Sequence, residues 1–204
     1  MFCATVAQKG TECLPTSIPI ERIPLALTAH LPEDISVYDA SWVDEEFHAR
    51  YDVAEKEYLY RIWNSPVRNP FEEGRACRIP QRIDEKAFEN MQSAAKKLLG
   101  THDFASYMAQ GSKVVSTVRT ITRSELERQG DLILYRVAAD GFLYNMVRIL
   151  TGTLVEVAQG RISPDEIDRI TAARDRSEAG LTMPACGLYL NYVRYHETRD
   201  HRRS

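Results

Sequence analysis

The sequence has no apolar run of membrane-spanning length, and its start, MFCATVAQKG, lacks the basic residues and apolar block of a secretory leader. Cysteine is scarce and scattered: Cys3, Cys13, Cys77 and Cys186 form no Cys-x-x-Cys pair and no Cys/His cluster. That excludes the common zinc patterns and suits free thiols in a reducing cytoplasm. Neither GxGxxG nor a Walker loop occurs, so the usual phosphate-cradling signatures are missing. An excess of positive charge is also lacking, because 26 Lys and Arg stand against 29 Asp and Glu, net −3. Any nucleic-acid site must then be a local patch rather than a global field. There are no internal repeats and no low-complexity segments.

What is present is an ordinary globular composition. The chain has 204 residues, 44% hydrophobic and 27% charged, enough for a sizeable core. Proline-bounded residues 18–32 read as a short helix, and residues 34–43, DISVYDASWV, as a strand. KEYLYRIWN (56–64) reads as a strand with Tyr58, Tyr60 and Ile62 on one face. DEKAFENMQSAAKKLLG (84–100) has the spacing of an amphipathic helix capped by Asp84 and ended by Gly100. A loop, THDFASYMAQGSK, follows, and then two strands joined by the turn QGD. A helix running to Ala158 comes next. Another starts at Ser163, with Pro164 and Glu166 in capping positions. Residues 186–195 read as a final strand. Strands joined by a tight hairpin, with helices between, predict an α+β fold with a largely antiparallel sheet backed by helices.

Within GFLYNMVRILTG (141–152), Arg148 sits among core residues, although an unpartnered buried guanidinium is costly. On a helix, Asn145, Arg148, Gly152 and Glu156 fall at steps of three and four, which sets Arg148 on a narrow polar stripe. Two readings stand: a solvated stripe or Arg148–Glu156 salt bridge, or an arginine presented into a cleft to hold an anion. His48, Arg50, Lys56 and Arg61 interleave with Tyr51, Tyr58 and Tyr60. They are either surface cations beside core tyrosines or a patch that holds phosphates and stacks on bases. Thr117, Arg119, Ile121 and Arg123 would share one strand face after the Gly-Ser turn carrying Lys113. That face is either phosphate-binding or simply solvated. His102 and Asp103 fit a cap or turn better than acid–base work, since neighbours on a strand point opposite ways. ARDRS (173–177) reads as a charged surface turn.

Taken in order, LALTAHLPEDISV, EFHARY, KEYLYRIWN, LLGTHDFASY, STVRTI, GFLYNMVRILTGTLVEVAQGRISPDEI and ITAARDRSEAGLTMPACGLYLNYVRY resemble the bacterial tRNA pseudouridine synthase A family from about residue 18 to 195. The resemblance implies isomerisation of uridine to pseudouridine in the tRNA anticodon stem-loop, without a cofactor or metal. The target base is flipped into a cleft. It implies that Tyr58 stacks on that base, that Leu188 lines the same pocket, and that Arg148 pairs with a catalytic aspartate. RNA contacts are expected from the basic residues of the two patches, His48, Arg50, Lys56, Lys113, Arg119 and Arg123, and the resemblance implies a homodimer, expected in the cytoplasm. The family's aspartate lies in a GRTDAGVHA-like loop. None of the chain's aspartates follows Arg-Thr or precedes Ala-Gly. Residues 1–45 are accordingly expected to be a remnant of an N-terminal half, 46–195 the C-terminal synthase domain and 196–204 a polar tail. A chain without that loop is expected to be inactive alone. Two other readings remain at this stage, a non-catalytic RNA-binding module and a fragment without a function of its own.

Overall fold

The computed structural model describes residues 18–44, 46–111 and 114–196. The described residues fall into two compact units, one of 53–194 and one of 18–52 with 195 and 196. In the smaller unit a 3-10 turn, Ile20–Arg22, leads into helix α1, Ile23–Thr28. The strand expected over 34–43 does not form. A strand needs a partner ladder, and both backbone groups of Val37 are taken instead by the Thr28 hydroxyl, at 3.0 and 3.2 Å. The Phe47 ring packs edge-on against Tyr195, with centroids 5.1 Å apart.

The larger unit is a six-stranded sheet with helices on one face. In chain order its elements are β1 Val53–Trp63, β2 Cys77–Arg78, α2 Glu85–Lys97, β3 Gly100–Asp103, β4 Val118–Gln129, β5 Leu132–Ala139, α3 Met146–Ala158, α4 Glu166–Ala173 and β6 Leu188–Tyr195. The strand order is β2-β1-β5-β4-β3, with β6 also pairing with β1. Antiparallel pairing dominates; β1 and β2 are parallel. β3 occupies the start of the segment read as loop, because residues 100–103 pair with 118–121.

Local chemistry explains these elements. The Asp84 carboxylate accepts from Ala87 N at 2.8 Å and caps α2. The apolar face of α2, Phe88, Met91, Ala94, Ala95 and Leu98, is buried, while Leu99 faces outward. The β4–β5 turn places Gly130 at φ +61°, a region glycine enters without strain. At α4 the capping contact forms one turn early, with Ser163 N donating to Glu166 Oε2 at 2.8 Å. Helix α3 is apolar almost all round and is buried accordingly. Its Thr151 and Thr153 hydroxyls donate to the carbonyls of Val147 and Ile149, which lets both enter the core.

A bulge divides β4. Ile121 is paired with Ala139 and Arg123 with Ala138, so Thr122 is the extra residue. Side-chain alternation reverses there. Arg119 and Ile121 share the helix-covered face with Ser124 and Leu126, and Arg123 points to the other. This corrects the expectation that Thr117, Arg119, Ile121 and Arg123 line one face.

Candidate active site

The helix α3 starts at Asn145, which takes left-handed backbone at φ +58°. Asparagine tolerates that region better than most non-glycine residues. Its Oδ1 accepts from Arg148 Nη1 at 2.9 Å. Arg148 Nε donates to the carbonyl of Met183 at 2.5 Å, and Met183 N donates back to the carbonyl of Arg148 at 3.2 Å. The guanidinium is thus held at two points and half-buried.

Met183 belongs to a segment, residues 179–184, that lies directly on α3. Gly180 N donates to Thr153 Oγ1 at 3.0 Å, and Leu181 N donates to Glu156 Oε1 at 3.2 Å. Gly152 is the contact point: a Cβ there would lie 1.8 Å from the carbonyl oxygen of Leu181. At Gly180 a Cβ would lie 2.6 Å from Thr153 N. The stripe of Asn145, Arg148, Gly152 and Glu156 is therefore real but not solvated, because it seats this segment. Glu156 serves Leu181 N and makes no salt bridge with Arg148. Among the described residues no carboxylate lies within ion-pair distance of Arg148.

The segment also reaches β1. The Tyr60 hydroxyl donates to the carbonyl of Pro184 at 2.6 Å, and burial pushes its phenol well above the ordinary range. Tyr58, two residues earlier on the same face, meets Phe142 edge-on at 5.1 Å. Burial also raises the Tyr58 phenol, so it is neutral at physiological pH. Gly187 presses on β1, where a Cβ would come within 2.6 Å of the carbonyl of Arg61. Tyr189 faces outward under the Arg61 guanidinium, 6.0 Å from its ring, so Leu188 faces inward. There Leu188 and Tyr58 both pack against the core that contains Tyr60. Arg148, Tyr58 and Leu188 are joined through Met183, Pro184 and Tyr60.

The remaining candidates divide. Lys56 lies opposite Ala139, at the Tyr58 end of the same face. Arg119 Nη1 donates to the carbonyls of Ser116 and Val118, and its Nε would lie 3.4 Å from a Cβ at Gly141, next to Phe142. Arg123 is on the opposite face, bound to Glu57 at 2.8 Å and Glu125 at 2.7 Å. His48 and Arg50 belong to the smaller unit, in a turn where both rest on the Tyr51 ring. Lys113 lies outside the described residues. Asp103 ties its own turn, accepting from Thr117 Oγ1 at 2.5 Å and Ala105 N at 3.2 Å, and pairing with Arg174 at 2.9 Å. Sequence reasoning placed Asn145 on the stripe and Tyr60 beside Tyr58, but it did not single out the Met183 and Pro184 carbonyls that they work with. Gly152 and Gly180, at the crossing of helix and segment, were the available signal.

A six-stranded sheet backed by helices fits the class whose family model matches residues 94–196, described as tRNA pseudouridine synthase. The chain is 48% identical over 181 residues to tRNA pseudouridine synthase A of Bacillus pumilus, covering 89% of this chain and 72% of that protein. It is 45% identical over 180 residues to the same-named protein of Acetivibrio thermocellus, covering 88% and 72%. With that of Bacillus subtilis the identity is 43% over 181 residues, covering 89% and 72%. The chain belongs to the tRNA pseudouridine synthase A family.

Proposed function

We propose that this chain serves uridine-to-pseudouridine isomerisation in the tRNA anticodon stem-loop, with Arg148, Tyr58 and Leu188 forming the pocket for the flipped base. The observation that carries the reading is Arg148 itself, a guanidinium fixed by Asn145 and Met183 and lacking a carboxylate partner among the described residues. Its role is to hold the catalytic aspartate ionised and aimed at the sugar. The reaction breaks the N-glycosidic bond, turns the uracil and forms a C–C bond. A turning base needs a flat surface without directional hydrogen bonds, which the Tyr58 ring offers. Leu188 is the apolar wall. Lys56 and Arg119, at the Tyr58 end of the face, meet backbone phosphates. Arg123, neutralised by two carboxylates on the other face, is a weaker candidate for that role. The enzyme works in the cytoplasm as a homodimer, and residues 46–195 are its synthase domain.

A second reading concerns the 204-residue chain by itself. No aspartate has the Arg-Thr and Ala-Gly flanks of the family's catalytic loop, which favours tRNA binding without turnover. One experiment separates the two. The purified chain is mixed with tRNA, binding is followed against salt, and pseudouridine is quantified. Salt-dependent binding with no pseudouridine supports the pocket and the second reading together. Turnover removes the second, and absence of binding at low salt removes both.

A further inference from the structure

Away from Arg148, two thiols share one corner of the sheet. Cys77 lies in β2 with Ile62 as its cross-strand partner, and is buried. Cys186 lies in the turn leading into β6 and is exposed. Its Sγ is 3.7 Å from the carbonyl oxygen of Ala76, the residue before Cys77. The turn Ala185–Gly187 packs on both β1 and β2. Glycine permits this close seat on β1, because a Cβ at Gly187 would be 2.8 Å from the Tyr60 ring. The Tyr60 hydroxyl joins the two sides, lying against the Cys77 thiol and donating to the carbonyl of Pro184, two residues before Cys186. That 3.7 Å contact seats the Cys186 thiol beside the residue that precedes Cys77 in the chain. Burial raises the Cys77 thiol, the Tyr60 hydrogen bond opposes that, and the neighbouring Cys186 adds to it.

We propose that Cys77 and Cys186 are an oxidation-sensitive pair, which peroxides convert to an intramolecular disulfide fastening the segment before β6 to β2. Cys186 reacts first because it is exposed and Cys77 is not. Its thiolate attacks a peroxide oxygen; the O–O bond breaks, hydroxide leaves and takes up the proton that the thiol released, becoming water, and Cys186 becomes a sulfenic acid. The Cys77 thiolate then attacks the sulfenic sulfur. The S–S bond forms, the S–O bond breaks, and the departing hydroxide takes up a proton as water. Two thiols are oxidised and one hydrogen peroxide is reduced to two waters. A small-molecule dithiol reverses the change by exchange. The tethered segment supplies the Met183 carbonyl to Arg148 and leads directly into Leu188, so oxidation stiffens one wall of the pocket. That consequence rests on the proposed function; the formation of the disulfide does not.

The test treats the native 204-residue chain with hydrogen peroxide, blocks remaining thiols with iodoacetamide and digests with trypsin without reduction. Peptide 76–78 is expected joined to peptide 177–194, lighter by two hydrogen atoms than the separate pair and lost on dithiothreitol treatment. Cys186→Ser, an exposed change that leaves the core intact, is expected to abolish the joined peptide and leave Cys77 unoxidised. Cys186 driven to sulfinic acid beside an alkylated Cys77 would overturn the pairing. So would Cys186 joined to Cys3, Cys13 or a second chain. Affinity for tRNA is measured before and after oxidation. A joined peptide with unchanged affinity would uphold the pair and overturn its effect on the pocket.

Discussion

Arg148 owes its aim to one side chain and one backbone carbonyl, and the two can be separated. Asn145→Gly keeps the left-handed start of α3 and removes the contact to Nη1. Asn145→Ala removes that contact and also forces a Cβ into strained backbone, at a cost of about 1–2 kcal/mol. Urea unfolding is therefore expected to show the glycine variant close to the parent and the alanine variant less stable. At Tyr58, replacement by Leu removes a stacking surface worth about 1–3 kcal/mol per base, while Phe keeps it. Filter binding at fixed salt should show tRNA affinity falling about ten-fold or more for Tyr58→Leu and little for Tyr58→Phe. Equal loss in both would point to the hydroxyl instead. At this scale the sequence was partly legible. Arg148 stood out because a guanidinium inside an apolar helix needs a reason, and the helical step placed it on a stripe. What the stripe faces was not legible, because its partners are the backbone groups of Leu181 and Met183. Backbone carbonyls and amides leave no signature in residue identity.

Helices and strands were read with uneven success, for local reasons. Helix α2 has a cap and an apolar stripe, both local signals, so it was legible; its end was not, since the helix stops at Lys97 and Gly100, expected to end it, opens β3. The segment 34–43 alternates like a strand, but pairing is not a local property, and Val37 is satisfied by Thr28 instead. β3 hid in an apparent loop for the converse reason: its ladder with β4 outweighs the weak propensities of Gly100 to Asp103. The crossing of α3 and the overlying segment gives the clearest test of an element. Gly152→Ala would put a Cβ 1.8 Å from the Leu181 carbonyl oxygen, a backbone atom that cannot step aside. Overpacking of that kind costs about 1–3 kcal/mol or more. Gly152→Ala is expected to lower the urea midpoint and to speed proteolysis within residues 179–184. Faster cleavage elsewhere, with that segment protected, would contradict the contact.

For the molecule as a unit, the buried tyrosines set the alkaline limit. Burial pushes Tyr107 up to about 12, and Tyr60 and Tyr135 higher still, against 10.0 for a free phenol. The folded state thus keeps these phenols neutral where the unfolded chain ionises. Their contribution is complete below pH 10 and is lost as pH rises through the folded values. Urea midpoints are expected to be level between pH 8 and 9 and to fall by pH 11, roughly one unit past the free phenol. A level midpoint to pH 11 would contradict this. Apolar exposure bears on association. Leu25 is 75% exposed, Tyr38 67% and Trp42 61%. Surface of that kind favours self-association, so light scattering is expected to report species larger than one chain. The bulge at Thr122 has a wider consequence. The extra residue absorbs the mismatch between two stretches of β4 that would otherwise be out of phase, so the sheet keeps its two faces distinct on either side of it. Without Thr122, Ile121 and Arg123 would be neighbours opposite Ala139 and Ala138, on the opposite faces they already occupy. Length variation in this strand should therefore be tolerated as loss of the one bulge residue, with Arg119, Ile121, Ser124 and Leu126 keeping their environments.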